Sequence, residues 1–337
     1  MPLPTDEELL KTGSDLVAQM QAIFGLHPGF RPAHARGALL TGSFTPSQQA
    51  AALSSAPHFS APSTPILARF SSSTGIPQIP DTDPNANPRG LAIRFNLPST
   101  PDGRRAHTDI IAHTTPSFPT RTGAEFLEFL RAAAASPPGA ESPTAVEKFL
   151  GAHPDALAFV QTPKPSPVSF ASAAYFGVNA LRFVGGEGGK GIFFRYRIVP
   201  AEGEVKTLDA EEVKGKADSY LFDELATHLG DSGPIKFKLL AQIARPEEGD
   251  VVDDATKLWP DSRELVELGE VTLDELVEEE EGKEMQKNVI FDPIPRVQGI
   301  KPSEDPLLEM RAAVYLISGR QRRAAGPPKE VVEGLGH

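Results

Sequence analysis

The sequence contains no cysteine. Disulfides, thiolate metal centres, iron–sulfur clusters, cysteine nucleophiles and a thiolate haem ligand are excluded with it. Positive charge is in deficit: 33 Lys and Arg face 45 Asp and Glu, a formal charge of −12. That balance argues against broad contact with a nucleic-acid backbone. No apolar run reaches the roughly 18 residues of a membrane span. The amino terminus, MPLPTDEELLKTG, has neither the basic nor the apolar region of a signal peptide. The closing GLGH is not a peroxisomal address. The expectation is a soluble cytoplasmic protein with no nucleic-acid partner and no membrane span.

What is abundant is punctuation. The 33 prolines and 29 glycines predict many turns and short elements rather than a bundle of long helices. Residues 5–24 read as an amphipathic helix capped by Thr5, with Leu9, Leu10, Leu16, Met20 and Ile23 near helical spacing. The Pro/Ser-rich stretch 44–65 reads as a surface connection. Residues 66–71, 91–96 and 109–112 read as strands, 123–135 and 144–151 as helices. The β-rich runs 180–184 and 191–199 flank GGEGGK (185–190) and predict a hairpin. A phosphate loop is a poor alternative there, because the first glycine of that spacing falls on Val184 and no Ser or Thr follows Lys190. Residues 235–244 alternate again. The acidic stretch 273–281 reads as a solvated helix face, not a metal site. A long helix is expected over 305–323 and a loose tail over 327–337. With no repeat and no composition shift, one domain over 1–326 is expected. Its class is α+β, with a barrel or sandwich at the centre.

Eight histidines are present, yet none has the HExxH spacing of a helical zinc site. There is no GxSxG elbow and no GxGxxG after a strand. Five short segments carry more information. They are Arg31-Pro-Ala-His34-Ala-Arg-Gly37, Arg69-Phe-Ser71-Ser-Ser-Thr-Gly75, Asn87-Pro-Arg-Gly-Leu-Ala-Ile-Arg-Phe95, Thr115-Pro-Ser-Phe118 and Asp305-Pro-Leu-Leu-Glu-Met-Arg311-Ala-Ala-Val-Tyr315. Each alone is weak. Together, and in this order, they resemble the haem-containing catalases. The short length and the segment 168–180, VSFASAAYFGVNA, are similar to the catalase-related peroxidase branch.

The resemblance implies an antiparallel β-barrel of the catalase type with surrounding helices, holding haem b. It implies Tyr315 as the metal ligand, bound as tyrosinate, since tyrosine is the haem ligand of catalases. Arg311 stands four residues before Tyr315 on the predicted final helix, so the two share a face. A phenol with an ordinary pKa of about 10 needs such a positive neighbour to bind as its anion. By the same resemblance His34 is the base that moves the peroxide proton, and Ser71 fixes its ring. Arg31, Arg69 and Arg322 match the propionate-binding arginines, guanidinium forks being suited to carboxylates. Phe118 and Phe126 fall beside the haem and its distal pocket. One departure stands out: in the segment leading into Thr115-Pro116 the family carries an asparagine, and His113 stands in its place.

The expected function is therefore a haem-dependent peroxidase. It would reduce hydrogen peroxide or organic hydroperoxides with small organic donors and retain weak catalase activity. Two alternatives remain. One is a haem enzyme that rearranges fatty-acid hydroperoxides, in the manner of an allene oxide synthase. The other is a non-enzymatic barrel that binds an apolar ligand. A homo-oligomer, with the N-terminal helix as interface arm, is also compatible with the sequence, whereas NADPH binding is less expected.

Overall fold

The computed structural model describes residues 5–100, 102–186 and 191–326. Its centre is a ring of eight strands: β1 (Gly37–Pro46), β2 (Thr64–Ser71), β3 (Gly90–Leu97), β4 (Ala106–His113), β5 (Tyr175–Phe176), β6 (Ile192–Pro200), β7 (Ile235–Ile243) and β8 (Leu265–Leu276). Every neighbour pair is antiparallel, and β8 returns to β1, so the barrel is closed. Closure leaves no free edge in the ring. The period-2 pattern does its expected work. In β3, Leu91, Ile93 and Phe95 are buried, while Ala92 and Arg94 between them are partly exposed.

Aromatic rings fill the interior. Phe44 meets Phe95 edge to face at 5.1 Å, and Phe183 stacks on Phe194 at 3.6 Å. A barrel of this strand number is just wide enough for side chains to fill it. Its lumen is core, filled by these side chains.

The helices that flank the barrel where the candidate site lies include α1 (Glu7–Phe24), α2 (Gly123–Ala134), α3 (Glu279–Asn288) and α4 (Pro306–Ala324). Asp305 caps α4 and Pro306 occupies its first turn, the arrangement that starts a helix most cleanly. One side of α4 meets the barrel through Leu308 and Ala312. Another side meets α1 and α2 through Met310, with Leu16, Met20 and Leu127. Among the described residues, no helix is long and apolar enough to cross a membrane. They also hold no group of three His, Cys, Asp or Glu placed to bind a metal.

Three sequence expectations shift. The cap of α1 is Asp6, whose carboxylate accepts from the Glu8 and Leu9 amides, rather than Thr5. The stretch 44–65 is not a surface connection throughout. Phe44 ends inside the barrel, and a short turn at Pro57–Phe59 buries both His58 and Phe59 against it. A few apolar anchors outweigh the Pro/Ser composition around them. In the acidic stretch 273–281, Leu273 is fully buried and pairs with Ile235 and Gly42, so this part ends a strand. The solvated helix starts only at Glu279. The hairpin holds, since Leu181–Phe183 pairs antiparallel with β6. Residues 187–190 of its connection, including the Lys190 weighed for a phosphate loop, lie outside the described residues, as does the expected tail 327–337.

His58 is buried with neither ring nitrogen hydrogen-bonded among the described residues, and burial pushes its pKa down to about 3. An unfolded histidine titrates near pH 6.5. As pH falls below that value, the unfolded chain gains a proton that the folded chain refuses, so stability falls. The expected result is a urea midpoint that declines steadily between pH 6.5 and pH 4. In His58→Leu the decline should be shallower.

Candidate active site

The barrel's end and the helices outside it enclose a cavity of about 600 Å³. Small-molecule and cofactor sites run from about 300 to 1,000 Å³. Four strands bring one wall together. Gly37, Ser71, Gly90 and His113 stand side by side in register at one end of β1, β2, β3 and β4. His34 lies just before β1. Its φ of 55° makes it the single non-glycine in the left-handed region among the described residues. That conformation costs roughly 1–2 kcal/mol. Two backbone bonds hold it: the His34 amide donates to the Ser73 carbonyl at 2.9 Å, and the Ala35 amide to the Thr74 carbonyl at 2.9 Å. The ring is thereby turned toward Ser71, with Nδ1 and Oγ 3.1 Å apart.

Gly90 makes room for this pair. A Cβ there would stand 2.6 Å from Ser71 Oγ and 3.1 Å from His34 Nδ1. Arg89 beside it is wholly buried and donates to Ser72 Oγ at 2.7 Å and to Asp81 Oδ1 at 3.1 Å. The Pro-Arg-Gly segment thus positions the residues that position His34.

His113 lines the same cavity. Its Nδ1 lies 3.1 Å from the Thr115 carbonyl oxygen and 2.9 Å from Thr115 Oγ1. A carbonyl only accepts, so Nδ1 carries the hydrogen and Nε2 is left with a lone pair. Burial lowers the His113 pKa to about 4, helped by the Arg311 charge. Burial, then His113 and Arg69, lowers that of His34 to about 3. Both rings are neutral at physiological pH.

Tyr315, on α4, also faces the cavity. Arg311 donates to its hydroxyl oxygen from Nε at 3.3 Å and from Nη2 at 3.2 Å. Arg311 is itself held, since Nη1 donates to Asn179 Oδ1. Asn179 Nδ2 donates to Asp305 Oδ2 at 2.8 Å, and Asp305 Oδ1 caps α4. The helix cap, the arginine and the phenol form one chain of bonds. Asn179 and Asp305 stood inside the quoted segments without a role. Their signal was a polar residue in an apolar run and an N-cap at helical distance from Arg311.

The three remaining arginines gather at the end of α3. Arg31 donates to the Gln286 and Val289 carbonyls at 3.0 and 3.1 Å. Arg69 donates to Gln286 Oε1 at 2.8 Å and to the Ala35 carbonyl at 3.0 Å. Arg322 donates to Ser318 Oγ and to the Val289 carbonyl, both at 2.8 Å. These partners are carbonyls, an amide and a hydroxyl, with no carboxylate among the described residues. Burial and mutual repulsion lower the Arg69 pKa to about 9, and push Arg31 well below its ordinary value. Burial lowers Arg322 to about 10, with repulsion from Arg323 adding to it. Gln286 was not anticipated, because α3 is acidic and carried no motif.

Phe118 and Phe126 touch at 4.9 Å and both line the cavity. Phe126 also packs with Leu16, Met20 and Met310, so it serves helix packing and pocket wall together. All ten residues singled out from the sequence border this one space.

The donor set suits haem. Apolar walls match a flat macrocycle. Three cations paired only with uncharged groups match two propionates. A phenol oxygen with two guanidinium donors suits an anionic oxygen ligand for iron.

An eight-stranded closed barrel with helices and a side cavity is the catalase architecture. A fungal catalase superposes with a TM-score of 0.74 at 22% identity, covering 96% of this chain and 64% of its own. Catalase A from Saccharomyces cerevisiae gives 0.74 at 21% identity, covering 95% and 65%. The chain thus spans about two thirds of those longer proteins. The Catalase family model matches residues 29–328. A catalase-related peroxidase of Mycolicibacterium paratuberculosis (strain ATCC BAA-968 / K-10) is 36% identical over 90% of this chain and 94% of its own length. A catalase-related peroxidase of Synechococcus elongatus is 30% identical over 92% and 88%. The chain belongs to the catalase family, on its short catalase-related peroxidase branch. It is a haem-dependent oxidoreductase that acts on peroxide.

Proposed function

We propose that this protein is a haem b peroxidase that reduces hydrogen peroxide or organic hydroperoxides with small organic donors, retaining weak catalase activity. One haem domain spans residues 1–326 in this reading. The observation that carries it is a single cavity with a fixed imidazole, His34, and a cation-paired phenol, Tyr315, in its walls. Tyr315 ligates as tyrosinate, stabilised by Arg311. Arg31, Arg69 and Arg322 take the propionates. Phe118 and Phe126 pack beside the ring.

When bound, the haem supplies the two electrons that split the peroxide O–O bond and later recovers them from the reducing substrate. The protein's residues handle position and protons. His34, neutral at physiological pH, takes a proton from peroxide at Nε2 and returns it to the departing oxygen as water leaves. In this reading Nδ1 donates to Ser71 Oγ, 3.1 Å away, which leaves Nε2 as the acceptor nitrogen. His113 presents a second acceptor nitrogen where an asparagine amide would offer donors. It therefore cannot orient peroxide as an amide does, which supports slow oxygen release. The aliphatic and aromatic walls exclude water from the proton path.

The test is an absorbance spectrum of the haem-loaded chain, followed by two assays with hydrogen peroxide. A Soret band and phenolic-dye oxidation faster than oxygen release are expected. No Soret band, or oxygen release dominating, would overturn the reading. In His113→Asn the ratio of oxygen release to dye oxidation should rise about tenfold, the effect of one hydrogen bond to a reacting group. An unchanged ratio removes His113 from peroxide handling. In Gly90→Ala the haem spectrum should persist while the peroxide reaction slows about tenfold, as the Ser71–His34 contact is forced apart.

A further inference from the structure

The cavity's charges are one-sided. In a chain of net charge −12, no Asp or Glu lines it among the described residues. Its cations are Arg31, Arg69, Arg311, Arg322 and Lys164. The proposed haem site uses the four arginines, and Lys164 is left over. It sits apart from them in sequence, just after the helix Pro154–Gln161 and next to the exposed residues Gln161, Thr162 and Pro163. This places it where the cavity wall meets the surface.

The ammonium is anchored rather than loose. Nζ donates to the Phe159 carbonyl at 2.7 Å and to the Thr162 carbonyl at 3.0 Å, and it lies 4.5 Å from the centre of the Phe159 ring. Burial lowers its pKa. Neither partner carries a formal charge, and an ammonium has three hydrogens to donate, so one remains. Phe159 lies directly beside it, and the same cavity wall carries Phe129 and Leu130 together with the polar Asn85 and Asn87. A cation on the rim of a cavity with aromatic walls recognises an amphipathic anion, with its body on the rings and its charge on the lysine.

Resting on the peroxidase reading, we propose that Lys164 binds the carboxylate of an apolar-bodied monocarboxylate substrate entering this cavity. Two substrates share that chemistry: a carboxylate-bearing phenol acting as reducing donor, and a hydroperoxy acid acting as oxidant. Lys164 sets which molecules enter and does not touch the reacting atoms.

The haem-loaded full chain tests this in two arms, each pairing an anion with its neutral twin. One arm compares 3-(4-hydroxyphenyl)propionate with its amide, with hydrogen peroxide as oxidant. The other compares a medium-chain hydroperoxy acid with its methyl ester, with a neutral donor. Calorimetric binding of each compound is measured alongside KM, so that the outcome does not depend on turnover. A carboxylate preference of about tenfold is expected in at least one arm, as for one charge-assisted hydrogen bond. It should vanish in Lys164→Gln and return in Lys164→Arg. The arm that shows it identifies the substrate. Equal binding of charged and neutral twins in both arms overturns the proposal, while dye oxidation by the same preparation leaves the peroxidase reading standing. A preference that survives in Lys164→Gln also overturns it. Absent dye oxidation with an intact carboxylate preference sinks the peroxidase reading instead.

Discussion

Replacing Tyr315 by phenylalanine is expected to yield a folded protein that binds haem at least 100-fold more weakly. Residues that support a metal ligand typically account for 10- to 100-fold in affinity, and a ligand accounts for more. The ring contacts of Tyr315 survive in the variant and only the oxygen goes, so the loss should be read as ligation rather than packing. Arg311→Leu should fall between the two proteins, because it keeps the phenol and removes the donors 3.2 and 3.3 Å from its oxygen. The measurement is haem retained per chain, together with the rate of haem transfer to an apoglobin. A Tyr315→Phe variant with native haem content and an unshifted Soret band would defeat the axial assignment.

The second large effect belongs to His34. His34→Ala should keep its haem and lose about 100- to 10,000-fold in the rate of reaction with hydrogen peroxide, the span found when a positioned acid–base group is removed. Because burial and the surrounding cations lower its pKa to about 3, the native rate should hold level from neutral pH down to about pH 4. The rate falls as the ring takes up its proton around pH 3. A native rate that instead fell near pH 6.5 would mean that His34 titrates as an ordinary exposed histidine. Rapid mixing of the haem-loaded protein with peroxide gives both results. A native rate in His34→Ala would refute the base assignment.

Much of this site was legible in the sequence because its chemistry is bound to short motifs. His34, Ser71, Arg311 and Tyr315 each sit in a segment whose local geometry, a strand end or a helix face, already aims them. The strand 91–96 was visible through its alternation of apolar and other residues. Other parts were hidden because they depend on tertiary partners. Gln286 reaches Arg69 from an acidic helix with no motif, and only the closed fold brings them within 2.8 Å. Asn179 acquires meaning only through Arg311 and Asp305. Phe44 and Phe59 looked like loop residues because composition reports an average. Burial is decided by single rings that find a place in the barrel.

The roof of the cavity joins distant stretches of polypeptide. Leu16 and Met20 of α1 meet Met310 of α4, and Gln21 bonds Gln321 across 300 positions. Closing a loop of that length costs about 5 kcal/mol of chain entropy. The Tyr315 helix is thereby tied to the opening helix of the chain, whose Leu16, Met20 and Phe24 line the same cavity. A helix that contributes no chemistry thus supplies part of the wall around the candidate site.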